Sequence, residues 1–176
     1  MVSQPQTTTV VVLCFLLLSR IYSQAHPKLL QGVEYHRHGD YTNALLHYET
    51  AILHDSSCAD CHHLVGLIHF KQSRIQSSIQ SIQTAIQLKP TIANYHNSLG
   101  EVYRESGSNN LALEQYKIAI ELNKKGSKNN ASSTQLNAEY HNNMGLVLMQ
   151  MGDSITASTY FEDSISIEPN HDSAVH

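Results

Sequence analysis

The chain has 176 residues, of which 41% are hydrophobic and 15% charged, with 11 Lys and Arg against 15 Asp and Glu for a formal net charge of −4. That length fits a single domain. The mild acidic balance, with no basic run longer than Lys124-Lys125, excludes a nucleic-acid binder that works by neutralising phosphates.

The first segment in chain order is a leader. Val10 to Leu18 is an unbroken apolar run, and Ser23-Gln24-Ala25 puts small residues at the −3 and −1 positions of a cut after Ala25. This order reads as a secretory signal peptide over residues 1–25. The run is too short to span a bilayer, which takes about 20 apolar residues. The expected location is the secretory pathway or the extracellular space, with no membrane attachment after cleavage. If the segment is only a disordered or helical leader and not a signal peptide, the expected location is the cytoplasm.

Downstream, the sequence repeats itself. Gly32, Gly66 and Gly100 are spaced by 34 residues, as are Ala51, Ala85 and Ala119, and Gly145 and Ser164 continue both columns after one further unit and an insertion. The same register aligns Gly39, Ser73, Gly107 and Gly152; Ala44, Ser78, Ala112 and Ala157; Tyr48, Ile82, Tyr116 and Phe161; and Ile52, Ile86, Ile120 and Ile165. In each unit the small residue precedes the bulky one by four and the next small one by seven, so all three share a helix face. A face of that kind docks closely on another helix. The glycine-led turns Gly39-Asp40, Gly107-Ser108 and Gly152-Asp153 separate two helices per unit, because glycine accepts a positive φ and the next residue can cap the new helix. Pro90 and Pro169 close the second and fourth units.

The boundaries that follow are 26–58, 59–92, 93–126 and 138–171 for the four units, with a Ser/Asn-rich insertion loop at 127–137 and a tail at 172–176. Asn130-Ala131-Ser132 in the insertion is the N-glycosylation sequon, a glycan site at Asn130 if the chain is exported.

Two motifs suggest chemistry. Cys58-Ala59-Asp60-Cys61-His62 has the C-x-x-C-H spacing of covalent haem attachment. However, His62 falls in a column with His96 and His141, which have no cysteines before them, so the repeat already accounts for it. A redox C-x-x-C lacks its usual βαβ setting. Cys58 and Cys61 are therefore expected to be an inert pair or a disulfide. Of the 12 histidines, His36 and His38 point to different sides of a helix, and His62, His96 and His141 lie on separate hairpins too far apart for shared coordination; His62-His63 with His69 is the best remaining group, and neither metal nor other cofactor is expected. No nucleophile with a base, phosphate-cradling glycine loop or paired acid is assembled, and no catalytic residue is assigned.

The columns resemble the tetratricopeptide repeat, a 34-residue helix-turn-helix. The third unit matches most closely, with Leu99, Gly100, Tyr103, Ala112, Tyr116 and Ala119 at the marked positions, although His96 stands where the family has its initial tryptophan. The resemblance covers roughly residues 25 to 171 and implies an all-α fold: a right-handed superhelical stack of four hairpins, an α-solenoid. It also implies a concave groove that takes a protein or peptide ligand. Within that groove the expected site is Asn97, Asn142 and Asn143 gripping an extended backbone, with Leu67, Phe70, Leu146 and Met149 receiving apolar side chains and Arg104 beside them. Self-association through the uncapped C-terminal hairpin is a further expectation.

The wording Tyr95-His96-Asn97-Ser98-Leu99-Gly100 and Tyr140-His141-Asn142-Asn143-Met144-Gly145 is similar to repeats that precede the catalytic region of O-linked N-acetylglucosamine transferases. Two functions follow. The first is a non-catalytic adaptor. The alternative is the substrate-recruiting portion of such a glycosyltransferase, without its catalytic domain.

Overall fold

The computed structural model describes residues 27–126 and 131–167. The leader, Asn130 of the sequon, Pro169 and the tail lie outside them. The described residues form eight helices: α1 (27–37), α2 (Tyr41–His54), α3 (Ala59–Lys71), α4 (Ile75–Leu88), α5 (Ala93–Glu105), α6 (Asn109–Gly126), α7 (Ala131–Gln150) and α8 (Ser154–Ile167). None of these helices is long and apolar enough to cross a membrane. Consecutive helices pair as hairpins, and each second helix packs on the first helix of the next unit.

Each hairpin closes on its glycine. A β-carbon at Gly100 would lie 2.6 Å from the Tyr116 ring, and at Gly32, Gly66 and Gly145 it would lie 2.5 Å from Tyr48, Ile82 and Phe161 respectively. Ala44, Ser78, Ala112 and Ala157 on the second helices are fully buried for the same reason. The bulky column then serves two seams. Tyr48 joins Ala44 to Val65 and Ile68 of α3, Ile82 meets Leu99 and Val102 of α5, and Tyr116 meets Tyr140, Met144 and Val147 of α7. The core is thus a ribbon running through the stack, not a central cluster. On α8 that ribbon stops among the described residues. Ile165 is 71% exposed, whereas Ile120 in the same column is 7% exposed beneath α7.

All four turns share one pattern of backbone bonds. Asp40, Arg74, Ser108 and Asp153 donate their N–H to carbonyls five residues earlier, on Tyr35, His69, Tyr103 and Leu148, and so satisfy carbonyls that the helix end leaves free. The pattern requires a left-handed residue just before each donor. Glycine supplies it at Gly39, Gly107 and Gly152, and Ser73 supplies it in the second unit with φ 59°. Asp40 and Asp153 then accept from the N–H of Asn43 and Thr156 and cap α2 and α8.

The insertion is less of a loop than its composition suggests. Residues 131–137 are helical and extend α7 toward its N-terminus. The added turns gain tertiary contacts: Leu136 packs on the Tyr116–Tyr140 cluster, and Asn123 Nδ2 of α6 donates to Asn137 Oδ1 at 2.9 Å. Packing against a partner helix overrides the weak helix propensity of Ser and Asn.

Two substitutions test this geometry. Gly100→Ala should cost about 1–3 kcal/mol through overpacking against Tyr116. Gly126→Ala, which meets open space, should change stability by less than about 1 kcal/mol. Equal melting temperatures for the two would contradict the assigned register. Ser73→Gly should stabilise by about 1 kcal/mol, since it removes the left-handed strain of a residue with a side chain. Urea denaturation at constant m-value measures it.

Candidate functional site

The first helices α3, α5 and α7 lie side by side and are tied together by polar groups that their sequences place at equivalent turns. Between α3 and α5, His63 Nε2 is 2.9 Å from Ser98 Oγ, the His63 ring stacks at a tilt on Tyr95 with centroids 4.7 Å apart, and the Tyr95 hydroxyl donates to Asp60. Lys89 Nζ, just after α4, completes the cluster 3.2 Å from the second Asp60 oxygen. Between α5 and α7, Asn143 Nδ2 donates to Asn97 Oδ1 at 3.0 Å, and Asn97 Nδ2 donates to Glu139 Oε1 at 3.2 Å. His63, Ser98, Asn97 and Asn143 are all buried.

These bonds revise the expected amide grip. Asn97 and Asn143 are brought together, but against each other and Glu139. Two amides bonded in this way serve the seam between repeats and are not open donors and acceptors for an extended backbone. Asn142 alone of the three is exposed. The apolar members divide as well: Leu67 is half-buried, as is Phe70, which packs on the Ile82–Leu99–Val102 cluster. Leu146 and Met149 on α7 are 38% and 50% exposed.

Arg104 is placed among charges that the amide-centred reading leaves out. The Glu101 carboxyl is pushed above its ordinary value, first by burial and then by Glu139, while Arg104, Lys71 and a bond from Asn97 pull it down. Lys71, Arg104 and Glu139, on three helices, are thus all near enough to Glu101 to act on its charge. Tyr116, behind them, feels both Glu101 and Arg104 and has its hydroxyl pushed up to about 12, mainly by burial. In sequence these members fall on different turns of the first helices, since Glu139 aligns with Asn94 at the start of α5 and Lys71 with Glu105 at its end, so the repeat register alone does not group them. The face offers mixed charge beside exposed apolar side chains, and no nucleophile–base pair is open to a substrate on it.

The histidine column behaves as the repeat requires. His62 and His96 each reach the carbonyl six residues earlier, on Ser56 and Pro90, while His141 Nδ1 stands 3.5 Å from Asp163 Oδ2. Among the described residues no group of three or more His, Cys, Asp or Glu could hold a metal ion. Cys58 and Cys61 are joined as a disulfide at the start of α3.

The tetratricopeptide-repeat family profile matches residues 138–171. The chain is similar to the human Protein O-mannosyl-transferase TMTC1, with 26% identity over 120 residues, or 66% of this chain and 12% of that protein. The mouse TMTC1 is also 26% identical, over 117 residues, with 64% and 11% covered. The chain thus spans only a small part of the length of these curated relatives. Among solved structures, MamA superposes with a TM-score of 0.71 at 23% identity, covering 87% of this chain and 83% of that one. PilF of Pseudomonas aeruginosa gives 0.73 at 19% identity, with 86% and 64% covered. The fourth unit is thus a tetratricopeptide repeat, and the same columns and hairpins in the other three units give the stack the fold of tetratricopeptide-repeat solenoids.

The seam between α3 and α5 makes stability depend on pH. Burial pushes His63 down to about 4, and the Asp60 carboxylate offsets this only in part. Since the folded value lies below the ordinary 6.5, the His63 contribution is complete above pH 6.5 and is lost as pH falls from 6.5 toward 4. The full span is on the order of 3 kcal/mol. His63→Gln, which does not titrate, should be less stable than wild type at neutral pH, and the gap should close on acidification. A constant gap in thermal melts between pH 7 and pH 4.5 would contradict the burial of a neutral His63.

Proposed function

We propose that the protein is a non-catalytic repeat scaffold that holds a segment of a partner protein along the face of α3, α5 and α7. The observation that carries this is the pair of exposed apolar side chains on α7, Leu146 and Met149, in the columns that hold Glu101 and Arg104 on α5. Apolar groups displayed at the same face as fixed charges suit a ligand recognised by its side chains, with anchors in the apolar part and polar groups at the rim. Asn142 is the amide left to meet the ligand backbone, and Asn97 and Asn143 hold the helices that present it.

A second reading is favoured by the similarity to TMTC1. The stack would then recruit protein acceptors for an O-mannosyl transfer carried out by other polypeptide regions. It shares the groove with the first reading and differs in the ligand.

Selection of peptides from a random display library on the purified protein, followed by titration calorimetry, tests both. Leu146→Glu with Met149→Glu should weaken the selected peptides by at least about ten-fold, a loss of about 1.4 kcal/mol, with helicity unchanged. Ile155→Glu, on the second helix of the same hairpin, should leave binding intact. Unchanged affinity in the double variant would move the binding surface elsewhere. Enrichment of Ser/Thr-rich acceptor-like peptides would favour the second reading over the first.

A further inference from the structure

The Cys58–Cys61 disulfide has no part in the groove, and the repeat does not call for it. The positions equivalent to Cys58 are Ile92 and Asn137, and those equivalent to Cys61 are Tyr95 and Tyr140, so the same seam is built elsewhere without sulfur. As a staple it achieves little, because it closes a loop with only two residues between the cysteines, and the restraint a disulfide places on the unfolded chain grows with loop length. Its two sulfurs differ sharply in surroundings. Cys61 is fully buried, whereas Cys58 is part-exposed at the N-cap of α3, where its Sγ accepts the Cys61 N–H at 3.3 Å. One sulfur is thus open to an incoming group and sits where a helix N-terminus favours negative charge, while the other waits behind it.

We propose that Cys58–Cys61 is a thiol–disulfide exchange site, with Cys58 the sulfur that forms the mixed disulfide and Cys61 the resolving cysteine. The co-reactant is a thiol, written RSH. Its thiolate attacks Cys58 Sγ, the Cys58–Cys61 bond breaks, and Cys61 leaves as a thiolate that takes a proton from solvent. A second thiolate attacks the outer sulfur of the mixed disulfide and releases RSSR together with the Cys58 thiolate. Two thiols lose two electrons and the protein disulfide gains them. In reverse, the Cys58 thiolate opens a disulfide RSSR, and Cys61 displaces the bound thiol. Small thiols and protein thiols share this chemistry.

The test is to equilibrate the full chain in buffers of reduced and oxidised glutathione, quench with acid and read each cysteine by differential alkylation and peptide mapping, which separates Cys14. The protein disulfide should convert to dithiol within the range of glutathione ratios used. In the native dithiol, iodoacetamide should label Cys58 at least about ten-fold faster than Cys61. Cys61→Ala should accumulate a glutathione adduct on Cys58, and Cys58→Ala should accumulate none on Cys61. A disulfide that persists at every ratio, equal labelling rates, or an adduct on Cys61 would overturn the proposal. Should either variant lose helicity, the wild-type labelling ratio decides alone. Turbidity on reduction of insulin by the dithiol form separates the sources. Activity there extends the site to protein disulfides, and its absence, with glutathione exchange intact, restricts it to small thiols.

Discussion

Everything in this molecule depends on the distance at which two helices of a hairpin approach. Gly32, Gly66, Gly100 and Gly145 leave no room for a β-carbon against Tyr48, Ile82, Tyr116 and Phe161. That close approach lets a bulky residue pass beneath the first helix, and in the first three units it extends to the next hairpin. Each such side chain is held within its own unit and supplies the packing surface for its neighbour. The stack is therefore cooperative along its length without any residue that touches both ends. A change at one glycine reaches the face of α3, α5 and α7 through this ribbon, since these helices are the ones the bulky column supports.

The polar groups between first helices add direction to that packing. Apolar contact along a seam tolerates sliding, whereas the Asn143–Asn97–Glu139 chain and the His63–Ser98 and Tyr95–Asp60 pairs hold one register. A buried amide or imidazole left without its partner costs free energy, so slippage is disfavoured even though each bond adds little net stability. The same bonds withdraw two asparagines from solvent and leave Asn142, Leu146 and Met149 exposed on the face proposed to meet a ligand. The seam carries a second consequence, because burial of a neutral His63 makes part of the stack's stability depend on pH between 6.5 and about 4, where it is lost as the pH falls.

The sulfur pair at the head of α3 stands apart from this logic. It interrupts a column that holds tyrosine in the third and fourth units, and the structure there gains the Cys58 cap and a buried Cys61 in place of an aromatic. The chemical role proposed for the pair and the binding role proposed for the groove rest on different observations, and neither needs the other.

Much of the fold is written in the one-dimensional pattern. A glycine or alanine every 34 residues, a bulky residue four after the second-helix small one and a glycine at each turn specify helix, hairpin and stacking face, because these depend on spacings within a unit. Even the exception is readable: Ser73 stands where the other units have glycine and takes the left-handed conformation there. The site is another matter. The sequence places Asn97, Asn142 and Asn143 on first helices, but whether an amide meets a ligand or another amide depends on the rotation and rise between hairpins, which no spacing within a unit encodes. Asn97 and Asn143 are 46 residues apart and 3.0 Å from bond partner to bond partner only because α5 and α7 stack as they do. The helical start of α7 was settled in the same way, by Leu136 and Asn137 meeting α6, against the loop-forming composition of the insertion. Local periodicity determined the architecture, and long-range packing decided which polar groups were used up in building it and which were left to work.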